Sequence, residues 1–169
     1  MNLANRPTLL SVTGLAAYLY IMGIEKDISQ QSFRNDHQKG IINLIYTYNW
    51  VNEKMKAFFE KEGITGQQFN ILRILRGAGA PISTLRIRER MLDKMSDTSR
   101  IVDRLVLKGL AQKNICKNDK RLVDVSITAK GKKLLGKIDG HEKEMDSIFG
   151  NLSEAEAGQL NKLLDKIRQ

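Results

Sequence analysis

The apolar periodicity of this chain changes character once. Up to Gly109, apolar residues recur mostly at three- and four-residue steps, the spacing of a helix with one packed face. Immediately afterwards, Leu110–Cys116 and Leu122–Ile127 alternate roughly residue by residue, as short strands do. The polar, basic run Lys117-Asn118-Asp119-Lys120-Arg121 lies between them, so the two strands read as a hairpin. After Ile127 the helical spacing returns and persists to the C-terminus. The expected fold class is therefore mainly α with one small β-hairpin.

The helices can be placed from their stripes and their ends. Ile41, Leu44, Ile45, Tyr48, Val51, Met55, Phe58 and Phe59 form a single apolar stripe on a long helix ending near Gly63. The polar stretch Ser29–Gly40 ahead of it reads as a linker or a loose helix start. A helix so apolar on one side needs a deep core or a second chain. Thr65 with Gln68 makes a capping box, with Ile64 and Phe69 as its hydrophobic staple, and the helix it opens stops at Gly77-Ala78-Gly79. Pro81 and Ile82 fit a short extended link, and Ser83 or Thr84 opens a short helix through Met91. After a break at Asp93-Lys94, another helix is expected, capped by Ser96 and ended by Gly109. Thr128 can cap a long helix from Ala129 to about Phe149. Ser153 and Glu156 form a second capping box for a last helix carrying Leu160, Leu163, Leu164 and Ile167.

The N-terminus is different. No charge occurs from Pro7 to Ile24, and Leu9–Ile24 is mostly apolar. A signal peptide would need a small-residue cleavage site, and Tyr18-Leu19-Tyr20-Ile21-Met22 offers none. A membrane span needs about twenty apolar residues, and this run is short of that and carries Thr13, Gly14 and Gly23. The expectation is an extra helix packed on the body, or a leader upstream of a start at Met22, with no membrane involved. Residues 1–31 are set apart on this ground.

Charge narrows the function. The chain has a formal net charge of +9. Between Arg86 and Lys137 there are fifteen Lys or Arg against six Asp or Glu, whereas the remainder holds thirteen of each. All the excess positive charge sits in that one stretch, which favours a polyanionic partner, DNA or RNA, over a merely solvated face. Catalytic equipment is missing. His37 and His141 have no metal-ligand spacing, Gly77-Ala78-Gly79 lacks the Lys-Ser/Thr of a phosphate loop, and Cys116 stands alone. The chain is thus read as no enzyme and as needing no cofactor or metal. A lone cysteine is compatible with a reducing cytoplasm, the expected location.

Short helix, turn, helix and hairpin, with the basic residues concentrated there, is the layout of a winged helix-turn-helix. A helix fits the major groove, where each base pair shows a distinct donor and acceptor pattern, and its first turns reach the base edges. Here those turns are Ser96-Asp97-Thr98-Ser99-Arg100, with Arg104 one turn on; Ile101, Val102, Leu105 and Val106 would face the core. Ser96, Thr98 and Ser99 also read as simple capping residues. Arg100-Ile101-Val102-Asp103-Arg104-Leu105-Val106-Leu107-Lys108-Gly109-Leu110 resembles the recognition-helix signature of MarR-type regulators. The segment from Asn118 to Gly131 resembles their wing, with Asp119-x-Arg121 at its tip and Thr128-x-x-Gly131 opening the next helix. The resemblance runs from Ile41 to the C-terminus.

The resemblance implies a homodimer whose first and last helices intertwine, and one winged helix on each half of a near-palindromic operator in double-stranded DNA. By position, residues 32–63 would form the N-terminal dimerisation helix, 64–128 the DNA-binding region, and 129–169 the helices completing the dimer. Ser96, Asp97, Thr98, Ser99, Arg100 and Arg104 would belong to the major-groove set. Lys117, Asp119, Lys120 and Arg121 would serve the wing, with Arg121 entering the minor groove and Asp119 orienting it. The family mostly represses, and many members release DNA on binding a small aromatic or phenolic effector. Tyr46, Tyr48 and Trp50 could line a pocket, but aromatic residues on a helix are more often core. A peroxide-sensing branch uses a cysteine near the start of the first long helix, which this sequence lacks. The rival reading is a winged helix used for protein or RNA contacts without operator recognition.

Overall fold

The computed structural model describes residues 23–115 and 123–169. The chain divides into two compact units, up to Trp50 and from Val51 onward. The turn Lys117–Arg121, Cys116 and nearly all of the apolar run Leu9–Ile24 lie outside the described residues.

In the first unit, a single turn α1 (Ile24–Asp27) precedes the long helix α2 (Asp36–Lys61), which continues into the second unit. The helix starts inside the stretch read as a linker. Asn35 accepts from the Gln38 N–H at 2.9 Å, and the Gln38 side chain accepts from the Arg34 N–H at 2.7 Å. This local exchange satisfies N–H groups that a helix start leaves unpaired, so the helix begins four residues before Gly40. Lys39 pairs with Glu25 at 2.6 Å. Ile41, Leu44, Ile45 and Tyr48 are exposed, Tyr48 by 64%.

The second unit carries the core. It comprises the end of α2, α3 (Gly66–Ala78), β1 (Ile82–Ser83), α4 (Thr84–Arg90), α5 (Thr98–Leu107), β2 (Ala111–Ile115), β3 (Val123–Ile127), α6 (Ala129–Asp139), α7 (Glu142–Asp146) and α8 (Glu154–Ile167). The expected hairpin forms, with β2 and β3 antiparallel and Ala111 opposite Ile127. The link at Ile82 does more than connect: β1 pairs antiparallel with β3, Ile82 opposite Val125, giving a three-stranded sheet in the order β1-β3-β2. A two-residue strand has no alternation to read, so only its partner reveals it. Phe59, Ile71, Leu72, Leu75, Ile87, Val102, Leu105, Val125 and Leu135 are fully buried together. Phe59 stacks tilted on Phe69 at 4.5 Å between ring centres.

Both capping boxes are present, Thr65 with Gln68 and Ser153 with Glu156. The long helix expected from Ala129 to Phe149 is not continuous. It ends at Asp139; α7 is a short helix, and a 3-10 turn follows at Ser147–Phe149. His141 leaves helical geometry (φ −113°, ψ 20°), and the hydrogen bonds tighten to three-residue spacing, His141 N–H to Ile138 and Glu144 N–H to His141. Ion pairs flank the break: Lys137, on α6 ahead of it, meets Glu62 at 2.8 Å, and Glu144, on α7 after it, meets Lys61 at 2.5 Å.

Arg76 on α3 donates two hydrogen bonds to Asp139 at the end of α6, one of them at 3.2 Å. These bonds hold the Asp139 carboxyl below the usual carboxylate range. A carboxylate depressed in the folded state stabilises the fold above its unfolded pKa, and that stability is lost as pH falls through the folded value. Both side chains are more than a third exposed, so solvent screens the pair and the gain is modest. Asp139→Asn should cost about 0.5–1 kcal/mol at pH 7, and the gap should close in strong acid. Urea unfolding of both proteins at neutral and acid pH checks this; an unchanged gap would show the carboxylate is not engaged.

Candidate nucleic-acid interface

The expected recognition helix, α5, is held at three points. Behind it, Ile101, Val102 and Leu105 are buried in the core. Before it, Asp93 organises the turn from α4: it accepts from Gln67 Nε2 at 3.0 Å and from the Met95 N–H at 3.0 Å, while Ser96 Oγ donates to its carbonyl at 2.8 Å. Asn70 accepts from the Leu92 N–H at 3.1 Å. The turn is thus tied to α3 by two side-chain amides. At the far end, Gly109 sits in the left-handed region (φ +69°), where a side chain would be strained. Its N–H and that of Leu110 close the helix on the Val106 and Leu105 carbonyls.

The cap is not the residue expected. Ser96 is occupied with Asp93, and Asp97 caps α5, accepting from the Arg100 N–H at 3.1 Å. Asp97 also pairs with Arg100 Nε at 3.8 Å. Of the major-groove set, Ser99, Arg100, Arg104 and Asp97 are exposed and Ser96 is partly so, all on α5 or in its approach. Thr98 is not. It is only 4% exposed, and its Oγ1 is buried with no hydrogen-bond partner among the described residues. Lys117, Asp119, Lys120 and Arg121 lie outside the described residues.

The basic stretch divides into two groups that the sequence does not distinguish. Lys108 Nζ donates to the Gly63 carbonyl at 2.6 Å and to Gln68 Oε1 at 2.9 Å, and Lys130 Nζ donates to the Lys108 carbonyl at 2.9 Å. Lys113 pairs with Asp103 at 2.5 Å. These lysines brace the recognition helix and the first wing strand. Arg86, Arg88, Arg90 and Arg104 are exposed and have no carboxylate partner among the described residues. A cleft of about 410 Å³ opens between α4 and the start of α5, lined by Thr84, Leu85, Arg88, Ser96, Asp97, Thr98 and Ser99. Arg88 and Thr84 were not singled out from the sequence. The signal available was charge alone, the three arginines of α4 at alternate positions.

The second capping motif of this region locks wing to helix. Thr128 Oγ1 accepts from the Gly131 N–H at 3.1 Å and donates to the Gly109 carbonyl at 2.8 Å, and its N–H bonds the Leu110 carbonyl at 3.1 Å. The Thr128-x-x-Gly131 motif thereby fastens the start of α6 to the end of α5.

No family model matches the chain. The HTH-type transcriptional regulator MhqR of Bacillus subtilis is 28% identical over 131 residues, covering 76% of this chain and 89% of MhqR. A mutant MarR from E. coli, solved in complex with operator DNA, superposes with a TM-score of 0.70 at 24% identity, covering 80% of this chain and 99% of that one. This is the MarR-type winged-helix fold. The resemblance read from the recognition helix and the wing therefore stands. BpsR of Bordetella bronchiseptica, whose DNA binding is regulated by 6-hydroxynicotinic acid, has a TM-score of 0.65 at 24% identity, covering 75% of this chain and 96% of that one. PecS of Dickeya dadantii and MdtR of Bacillus subtilis, 26% and 28% identical to this chain, are likewise an HTH-type transcriptional regulator and an HTH-type transcriptional repressor. Among the described residues no helix is long and apolar enough to cross a membrane.

Proposed function

We propose that this protein is a dimeric, sequence-specific double-stranded-DNA-binding transcriptional regulator, a repressor released by a small aromatic or phenolic effector. The observation that carries the reading is α5 itself. Its inner face is buried, its ends are pinned, and its outward turns present Ser99, Arg100 and Arg104, with Arg88 of α4 lining the same cleft as Ser96 and Ser99. Such an arrangement suits a helix laid in the major groove, with α4 arginines on the phosphates that fix its register. Lys117, Lys120 and Arg121 extend the same positive surface along the wing by sequence, with Asp119 orienting Arg121. The operator complex of the E. coli neighbour supports a duplex as partner. The ligand-regulated BpsR neighbour supports an effector.

Protection mapping on the DNA upstream of the protein's own gene tests the proposal. A protected site with two half-sites about one or two helical turns apart is expected from a two-fold dimer. Affinity insensitive to salt, or preference for single strands over duplex, would favour the protein- or RNA-contact alternative.

The dimer has its own support. Ile41, Leu44, Ile45 and Tyr48 on α2, and Leu163 and Ile167 on α8, are exposed in a single chain, Ile167 by 70%. Apolar surface of this extent is what an obligate interface buries. Light scattering at micromolar concentration should report a dimer. Ile45→Glu should weaken self-association by at least about ten-fold, as loss of a central interface residue does. A stable wild-type monomer at that concentration would sink the idea.

A further inference from the structure

Arg100 is 73% exposed on the first turn of α5, and an arginine so free samples many rotamers. Asp97 restrains it. One carboxylate oxygen of Asp97, Oδ1, accepts from the Arg100 backbone N–H at 3.1 Å, and the other, Oδ2, lies 3.8 Å from Arg100 Nε. The first contact fixes the Asp97 rotamer because capping geometry is specific. The second is an ion pair beyond hydrogen-bond distance, with Nε on the side of the guanidinium facing the cap. The Nη1 and Nη2 groups remain as free donors of the planar fork. Those two donors match the paired O6 and N7 acceptors of guanine.

We infer that Asp97 is a positioning residue: it orients Arg100 so that the guanidinium fork reads a guanine edge in the major groove. The inference rests on the DNA-binding reading above and deepens it. An exposed pair at this distance contributes little to folding, so neutralising it leaves the scaffold standing while base selection is read. Asp97 also repels phosphates, which holds back binding to arbitrary sequences.

The test uses the full chain and duplexes recovered from a random-sequence pool, compared with the same duplexes carrying 7-deazaguanine in place of single guanines. Asp97→Asn keeps a capping side chain and removes the charge; Asp97→Ser is a second neutral cap should the first fold poorly. Wild type should lose about ten-fold in affinity at one 7-deazaguanine position per half-site, the size of one guanine contact. Both Asp97 variants should show a loss of about two-fold or less there, with random-duplex affinity raised several-fold and thermal unfolding little changed. In an Arg100→Ala background, Asp97→Asn should no longer alter guanine discrimination, because nothing remains to be oriented.

Unchanged 7-deazaguanine sensitivity in both neutral variants would overturn the inference while leaving DNA binding intact. The same loss of discrimination with and without Arg100 would also overturn it, because the effect would then not pass through that side chain. Failure of wild type to select any duplex from the pool would remove the DNA-binding reading, and the inference with it.

Discussion

Gly131→Ala should lower the stability of the folded chain by about 3 kcal/mol or more, at the upper end of what overpacking costs. A Cβ at Gly131 would lie 2.3 Å from the Leu110 carbonyl oxygen and 2.8 Å from Ile127 Cγ1. The first neighbour is backbone, held by the Thr128 N–H and directly preceding β2; it has no rotamer to change. Relief would require α6 to move off the junction between α5 and the wing, breaking the two Thr128 hydroxyl bonds as well. The control lies five residues on. A Cβ at Gly136 meets nothing within 4 Å, and Gly136 is inside α6. Gly136→Ala should therefore stabilise by about 0.5–1 kcal/mol through helix propensity alone. Urea unfolding of both variants at unchanged m separates the two cases. A neutral Gly131→Ala would mean that the carbonyl does not approach so closely in solution.

Arg100→Ala should cost about 1–3 kcal/mol of operator affinity, a loss of roughly five- to 150-fold, and far less on random duplex. The side chain is exposed, borne by a helix whose ends are both fastened, so its removal deletes a contact and leaves the scaffold standing. Arg121→Ala is proposed to behave differently. A wing-tip arginine in a narrow minor groove responds to shape and potential, so both operator and random duplex should weaken and the salt slope should become shallower by about one unit. Lys108→Ala completes the contrast. Its ammonium is spent on the Gly63 carbonyl and on Gln68 Oε1, which keeps the Thr65 N–H as its other donor. That variant should lose stability, by about 0.5–1.5 kcal/mol for a lost hydrogen bond, before it loses specificity. Affinity across a salt series, read beside thermal unfolding, distinguishes the three. Equal and small effects of Arg100→Ala and Arg121→Ala would reduce these arginines to a solvated basic face.

What could be read from the sequence was whatever acts across three or four residues. Thr65 with Gln68, Ser153 with Glu156, and Thr128 ahead of Gly131 are caps whose donor and acceptor lie within one turn, and each is where the spacing put it. The hairpin strands and the inward set Ile101, Val102 and Leu105 were legible for the same reason, because periodicity reports which face is buried. Where two local choices competed, tertiary contacts chose. Ser96 and Asp97 are both good caps, and the role fell to Asp97 because Asp93, anchored to α3 by Gln67, engages Ser96. Nothing local distinguishes Lys108 from Arg104, yet one braces the fold through a carbonyl 45 residues away and the other faces solvent. Thr98 looked like a groove residue and is buried, which no pattern within one turn of the cap reveals. The strand at Ile82 also depended on a partner distant in sequence, Val125, and the break after Asp139 is flanked by ion pairs to Glu62 and Lys61. Local chemistry set the elements and their caps in this chain. Long-range packing decided which of its charges remain available to a partner.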